Sequence, residues 1–253
     1  MDNQEVIIGI HSIIEAIKNK RRENLFLYGT KSGLELIANS NKLSVDEKNK
    51  FKKNELNSHE FQEISKKLFS QGGFNYQRVT SQILLSAEKL PVDGIEWIMR
   101  KINNGEKLKI FCLDQVTDIH NTAAILRTAS FYGVDCLVTG MKGKSGKSPG
   151  FYRIASGATE HVKIIECSSL PKFIRKLMSK DVRCVGFSEH SENNSVEQTS
   201  SNSIALIVGS EDTGLSHALT RVISEMYCIN ALGATKSLNV SVASAIAMER
   251  FFN

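Results

Sequence analysis

Three stretches of the chain place polar side chains beside glycines or at the start of an apolar helix, where they could hold a ligand and act on it. The first is LDQVTDIHNTAAILRTASFYG, which carries Asn121 and Arg127. Asn121 is a natural helix N-cap, the alanines suit close packing, and Gly133 ends the helix. Arg127 follows six residues later, about 240° round an α-helix, so the two side chains do not share a face. The second stretch is IALIVGSEDTGLS, where an apolar strand runs into Gly209, Ser210, Glu211 and Gly214. Glycine lets a backbone approach a ligand closely, and Glu211 would stand beside it. The third is CINALGATKSLNVSVASAIAMER, with Gly233 and Thr235 in a loop and Ser237-Leu238-Asn239 opening a helix. Val242, Ala243, Ile246 and Phe251 make that helix apolar nearly all round, so it is expected to be buried, with close contacts that could extend across subunits. Each stretch also has a plainer reading: Arg127 snorkelling from an apolar helix, a simple strand-to-helix turn at 209–214, and Ser237 or Asn239 as a cap.

Several other chemistries fail on spacing. No GxGxxG follows the first strand of the back half, and no GxSxG elbow occurs. GKSGKS ends like a phosphate-binding P-loop, but the glycine required five residues before Gly146 is Met141, and Pro149 disfavours the helix start that motif needs. Asp114, Asp118 and His120 are better turn-shaping residues than metal ligands, and no metal is expected.

The elements that must position these residues divide the chain into a small front domain, a linker and a larger back domain. GIHSIIEAIKNK spaces Ile10, Ile13, Ile14 and Ile17 as an amphipathic helix, and NLFLYG reads as a short strand. Residues 42–57 are polar and belong on the surface. SHEFQEISKKLF predicts a second helix with Ser58 as N-cap and Phe61, Ile64 and Leu68 on one face, broken at Gln71-Gly72-Gly73. A short strand is expected around Tyr76 to Thr80. The expected domains are therefore an α/β unit over 1–75, a linker and leading helix over 76–105, and the back domain over 106–253. From Lys107 onward strands alternate with helices. KIFCLD, DCLVTG, HVKIIE, VRCVGF, IALIVG and MYCIN predict strands, and NTAAILRTASFY, SLPKFIRKLMSK and VSVASAIAMERFF predict helices. Continuous apolar strands between helices mean a parallel sheet covered on both faces, which binds ligands beyond the carboxyl ends of its strands.

Composition sets the frame. The chain has 253 residues, 41% hydrophobic and 23% charged, as in an ordinary globular protein rather than a disordered or coiled-coil one. No stretch approaches a membrane span, and VIIGI is too short for a signal peptide. Cys112, Cys136, Cys167, Cys184 and Cys228 form no CxxC pair and sit in apolar runs, which suggests buried thiols in a reducing compartment, most simply the cytoplasm. The net charge is +5. Between residues 141 and 153, Lys142, Lys144, Lys147 and Arg153 have no acid among them. With its glycines and Pro149 this stretch reads as an exposed loop, either suited to a phosphate backbone or simply solvated.

Taken together, NTAAILRTA, VGSEDTGL and SLNVSVA, in that order, resemble the three motifs of the SpoU (TrmH) RNA 2′-O-ribose methyltransferases. The resemblance covers residues 107–253. GIHSIIEAI, the Gln71-Gly72 turn and ASGATEHVKI resemble the RlmB-like branch, which methylates a guanosine of large-subunit ribosomal RNA. The resemblance implies an α/β fold whose C-terminal parallel-sheet domain is trefoil-knotted, preceded by a small α/β RNA-binding domain. It implies S-adenosylmethionine as cofactor, held by Gly209, Ile229, Gly233 and Leu238, with no metal. It places Asn121, Arg127, Glu211, Ser237 and Asn239 among the polar active-site residues, and a homodimer in which Arg127 comes from one subunit and the cofactor from the other. Ile119, Thr122-Ala123, Asp212 and Asn230 depart from the usual pattern without removing a polar group that the chemistry needs. Two other classes stay open: an enzyme of the same family acting on transfer RNA, and a non-catalytic RNA-binding assembly factor.

Overall fold

A computed structural model describes residues 3–140, 147–189, 191 and 203–252. The chain forms two compact units, Met1–Pro91 with Gly146–Glu160, and Val92–Ser145 with His161–Asn253.

The first unit opens with strand β1 (Gln4–Ile8), helix α1 (Ile10–Lys18), β2 (Phe26–Gly29) and α2 (Lys31–Ala38). A short α3 (Val45–Lys48), β3 (Lys52–Glu55), α4 (Ser58–Gln71) and β4 (Ile83–Glu88) follow. The sheet order is β1-β4-β2-β3, with β4 antiparallel to both neighbours and β3 parallel to β2. Strand β4 explains its own place. Ile83, Leu85 and Ala87 face one core with Ile13, Ile17 and Leu34, while Leu84 faces another with Phe61 and Phe69, so both of its faces are apolar and buried.

This arrangement corrects the front boundary. The expected linker over 76–105 begins inside the first unit, because Ile83–Glu88 is an inner strand of its sheet. The strand expected around Tyr76 to Thr80 is not formed, and the pairing starts at Ile83 instead. The cap of α4 is Asn57, one residue before the predicted Ser58. Its Oδ1 accepts from the amides of His59 and Glu60, each at 3.0 Å, and the Glu60 carboxylate accepts in turn from the Asn57 amide. The polar stretch 42–57 is largely exposed as expected, yet it contains α3 and the edge strand β3, whose lysines deter further pairing.

The second unit contains α5 (Ile95–Asn103), β5 (Lys109–Leu113), α6 (Ile119–Phe131) and β6 (Cys136–Gly140). Helix α7 (Pro149–Ala155) comes next in the chain but belongs to the first unit. Then come β7 (Lys163–Cys167), α8 (Leu170–Met178), β8 (Arg183–Phe187), β9 (Ile204–Val208), α9 (His217–Thr220), β10 (Glu225–Tyr227) and α10 (Val240–Phe252). All six predicted strands form one sheet in the order β10-β8-β9-β5-β6-β7, and every pair is parallel. Strand order reverses between β5 and β9, which marks the crevice beyond Leu113 and Val208 as the place where such a sheet binds ligands. All five cysteines are buried and free. Burial, with the nearby charge of Glu225, pushes the Cys184 thiol up to about 12, so it behaves as a small apolar group.

Residues 148–160 show how a segment from the middle of the chain is welded to the first unit. Pro149, which suggested a loop, occupies the first turn of α7, and Ser148 caps it by accepting from the Phe151 amide at 3.2 Å. Tyr152 on this helix lies within the apolar cluster of Ile7, Ile13 and Leu85. The short 3₁₀ turn Ala158–Glu160 brings Glu160 against Arg22. Arg22 Nη2 and Nε donate to the two carboxylate oxygens at 2.7 and 3.0 Å, and both side chains are about 1% exposed. Glu5 completes the network by accepting from Arg22 Nη1 and from the Tyr152 hydroxyl. Burial alone would lower the Arg22 guanidinium, but the bonds and charge of Glu160, with Glu5, outweigh it and hold it above its ordinary range.

Candidate active site

The site lies in the second unit, where the loops after β5 and β9 meet the N-termini of α6 and α10. Each of those loops is fixed by its own residues. Asp118, not Asn121, caps α6: its Oδ1 accepts from the His120 amide at 2.6 Å, so Asn121 falls inside the first turn and its side chain is free for other partners. Asp114 is buried and accepts from the Ser216 amide at 2.7 Å, tying the loop after β5 to the loop after β9. Asp114 and Asp118 thus shape turns, as their positions suggested.

Residues 209–215 close into a tight loop. Ser210 and Gly214 exchange backbone bonds at 3.2 and 2.9 Å, and Gly214 adopts φ +62°. A Cβ on Gly209 would stand 2.0 Å from the carbonyl carbon of Gly214. The glycine at 209 is therefore required by the loop's own backbone, a reason separate from any ligand.

That loop delivers Glu211 to the two helix starts. Its Oε1 accepts from Asn121 Nδ2 at 3.0 Å, from Asn239 Nδ2 at 2.5 Å and from the amide of Val240, the first residue of α10, at 3.0 Å. Asn239 Nδ2 also donates to Asn121 Oδ1 at 3.1 Å. A carboxylate at the N-termini of two helices complements both dipoles. At the other end of the same two helices, Lys109 Nζ donates to the carbonyls of Tyr132 (3.2 Å) and Phe252 (2.7 Å). The pair α6 and α10, which pack against each other, is thus held by an anion at its starts and a cation at its ends.

Of the residues singled out from the sequence, Asn121, Glu211 and Asn239 converge. Arg127 does not join them. It is exposed on the far side of α6 and makes no hydrogen bond or ion pair among the described residues, with the exposed Phe131 one turn further on. Ile229 is half-buried after β10, and Gly233, Ser237 and Leu238 are exposed in the irregular stretch leading to α10. A side chain at Gly233 would meet open space, and Lys236 Nζ donates to its carbonyl at 3.1 Å. Among the basic residues, Lys142 and Lys144 lie outside the described residues. Lys147 is half-buried, and Arg153 is on α7 rather than in a loop. Sequence reasoning passed over Lys109 as a double cap and Ser241 beside Asn239. Only the last had a local signal, the Asn-x-Ser spacing of a helix start.

The SpoU rRNA Methylase family model matches residues 109–249. A 23S rRNA (guanosine-2′-O-)-methyltransferase RlmB of Bordetella pertussis is 30% identical over 166 residues, 66% of this chain and 67% of that relative. Among solved structures, the SpoU methyltransferase AviRb from Streptomyces viridochromogenes, in complex with AdoMet, superposes with a TM-score of 0.71 at 16% identity, covering 98% of this chain and 89% of that one. An rRNA methyltransferase from Sinorhizobium meliloti gives a TM-score of 0.68 at 16% identity, covering 98% and 86%. The fold is shared over nearly the whole chain, and the family match spans the loops that carry Asn121, Glu211 and Asn239. The chain belongs to the SpoU rRNA methylase family.

Proposed function

We propose that this protein transfers a methyl group from S-adenosylmethionine to the ribose 2′-hydroxyl of a guanosine in large-subunit ribosomal RNA. The observation that carries the reading is the convergence of Asn121, Glu211 and Asn239 at the starts of α6 and α10. Glu211 Oε1 is fully engaged by three donors, while Oε2 has no protein partner among the described residues, and Asn121 keeps one N–H and one lone pair. These open valences suit a hydroxyl that must be held while its proton leaves.

The stretch beside this cluster fits the cofactor. Leu238, next to Asn239, is 46% exposed, which offers apolar surface for an adenine to cover, and Gly233 leaves room beside its backbone. Gly209, Ile229, Gly233 and Leu238 hold the cofactor in this reading, and when bound it supplies an activated methyl group. The protein's task is then alignment, with the ribose oxygen about 3 Å from the methyl carbon and in line with the bond that breaks. A guanidinium offers five donors in a fixed fork and no acceptor, so Arg127 grips the RNA phosphate and hydroxyl rather than removing a proton. Ser237 lies near enough in sequence to Asn239 to complete the ribose contacts.

The same reading assigns a trefoil knot to the C-terminal unit and makes the protein a homodimer. Exposed Arg127 and Phe131, 82% exposed, share one face of α6, an arrangement that a second copy would cover while bringing Arg127 to its cofactor site. RNA binding falls to the first unit and the basic stretch ending in Lys147 and Arg153. Five free thiols favour the cytoplasm, and no described helix is long and apolar enough to cross a membrane.

The test is mass-spectrometric nucleoside mapping of RNA treated with the purified protein and S-adenosylmethionine. One new 2′-O-methylguanosine in large-subunit ribosomal RNA is expected. Methylation of transfer RNA alone would keep the chemistry and overturn the substrate. No methylation of ribosomal RNA or its assembly intermediates, with no cofactor binding, would leave an RNA-binding factor.

A further inference from the structure

Asn239 differs from its neighbours in one respect: the protein uses every hydrogen-bonding valence it has. Its two N–H groups go to Glu211 Oε1 and Asn121 Oδ1, at 2.5 and 3.1 Å. Its Oδ1 accepts from the Ser241 backbone amide at 2.9 Å and from the Ser241 hydroxyl at 2.5 Å. An amide side chain has two donors and two acceptor sites, so nothing on Asn239 remains for a substrate.

The polarity of this arrangement is fixed from both ends. A backbone N–H can only donate, so the atom of Asn239 facing Ser241 is the carbonyl oxygen. Glu211 Oε1 already accepts from the Val240 amide, so the atom of Asn239 facing it is the amide nitrogen. Hydrogen-bond donation therefore runs one way, from Ser241 to Asn239, from Asn239 to Asn121 and Glu211, and from Asn121 to Glu211 Oε1. The end result is a carboxylate with Oε1 saturated and Oε2 presented outward. Ser241 is unusual within its own helix. Ser244, one turn on, spends its hydroxyl on the carbonyl of Val240 at 2.6 Å, the ordinary back-bond of a helical serine, whereas Ser241 turns its hydroxyl onto the side chain of Asn239, just before the helix.

We propose that Ser241 is a positioning residue for methyl transfer, acting through Asn239 to hold Asn121 and Glu211 Oε2 toward the ribose hydroxyl. This rests on the methyltransferase reading above and redistributes the roles within it: Glu211 and Asn121 touch the substrate, while Asn239 and Ser241 form the frame behind them.

The experiment compares Ser241→Ala and Ser241→Thr with the parent protein, measuring kcat, the KM for RNA, the affinity for S-adenosylmethionine and the thermal midpoint. Alanine keeps the backbone amide and removes only the hydroxyl, so the chain should fold with an unchanged midpoint. A threefold to tenfold fall in kcat is expected for Ser241→Ala, with KM and cofactor affinity within twofold of the parent, and Ser241→Thr should restore kcat because it restores the donor. An unchanged kcat in Ser241→Ala overturns the proposal while leaving the methyltransferase reading intact. So does a loss that Ser241→Thr shares, or one that appears equally in cofactor affinity or midpoint, because a structural role would give that pattern. A parent protein that methylates no RNA overturns both.

Discussion

The two oxygens of Glu211 have different work. Oε1 is an acceptor for three fixed donors, so in Glu211→Gln the amide must turn its own oxygen to that side and place its NH2 where Oε2 stood. The substitution preserves the frame and inverts the polarity offered to a hydroxyl donor. Turnover should fall on the order of 100-fold while the far-UV circular dichroism and cofactor affinity stay near the parent's; a variant with parental kcat would show that Oε2 does not face the reaction. Residue types alone carried the sequence part of the way here. Asn121, Glu211 and Asn239 were legible from the three motifs, but which valences remained open was not, because a type does not say which partner saturates it. Asn121 was read as the cap of α6, yet Asp118 takes that position, and the three-residue difference is what frees Asn121 for the site.

At the level of elements, the site depends on two helices staying parallel and on one loop keeping its shape. Lys109 joins the ends of α6 and α10, so Lys109→Met removes a charged donor from two helix C-termini at once. The expected cost is about 1–3 kcal/mol, read as a lower urea midpoint with an unchanged slope. Gly209→Ala forces a Cβ onto the backbone of Gly214, where no rotamer change gives relief, and should destabilise by about 2–3 kcal/mol and abolish turnover together. A Gly209→Ala protein with parental stability and activity would mean that the loop opens at little cost. The six strands of the second sheet were legible because each is a continuous apolar run between helical patterns. Helix α7 was not, since Pro149 and Gly150 look like loop punctuation unless Ser148 is known to cap them. Strand β4 was missed for a related reason: a short apolar run after a polar stretch does not announce which strands it will separate.

For the whole molecule, the consequential residue is Glu160, which is nearly 140 positions from its partner Arg22. Glu160→Gln leaves the buried guanidinium with only Glu5 to offset it, and should destabilise the first unit by about 3–5 kcal/mol. The only tryptophan, Trp97, lies on α5 in the second unit, so its fluorescence reports that unit while far-UV circular dichroism reports both. The expected outcome is a dichroism transition that moves to lower denaturant ahead of an unmoved fluorescence transition; coincident shifts of both would show that the units unfold as one. The domain division drawn from the sequence failed at this scale because contiguity was assumed. Composition shows where polar stretches fall along the chain, but it cannot show that residues 146–160 return to the unit left at Pro91.

That return has a consequence for the order in which the protein is made. A nascent chain emerging through Pro91 already carries all four strands of the first sheet, but the apolar surface around Ile7, Ile13 and Leu85 still waits for Tyr152, and buried Arg22 waits for Glu160. The first unit therefore cannot finish folding when its own first four strands have emerged. It must remain incomplete while α5, β5, α6 and β6 are translated, and it closes only when residue 160 arrives.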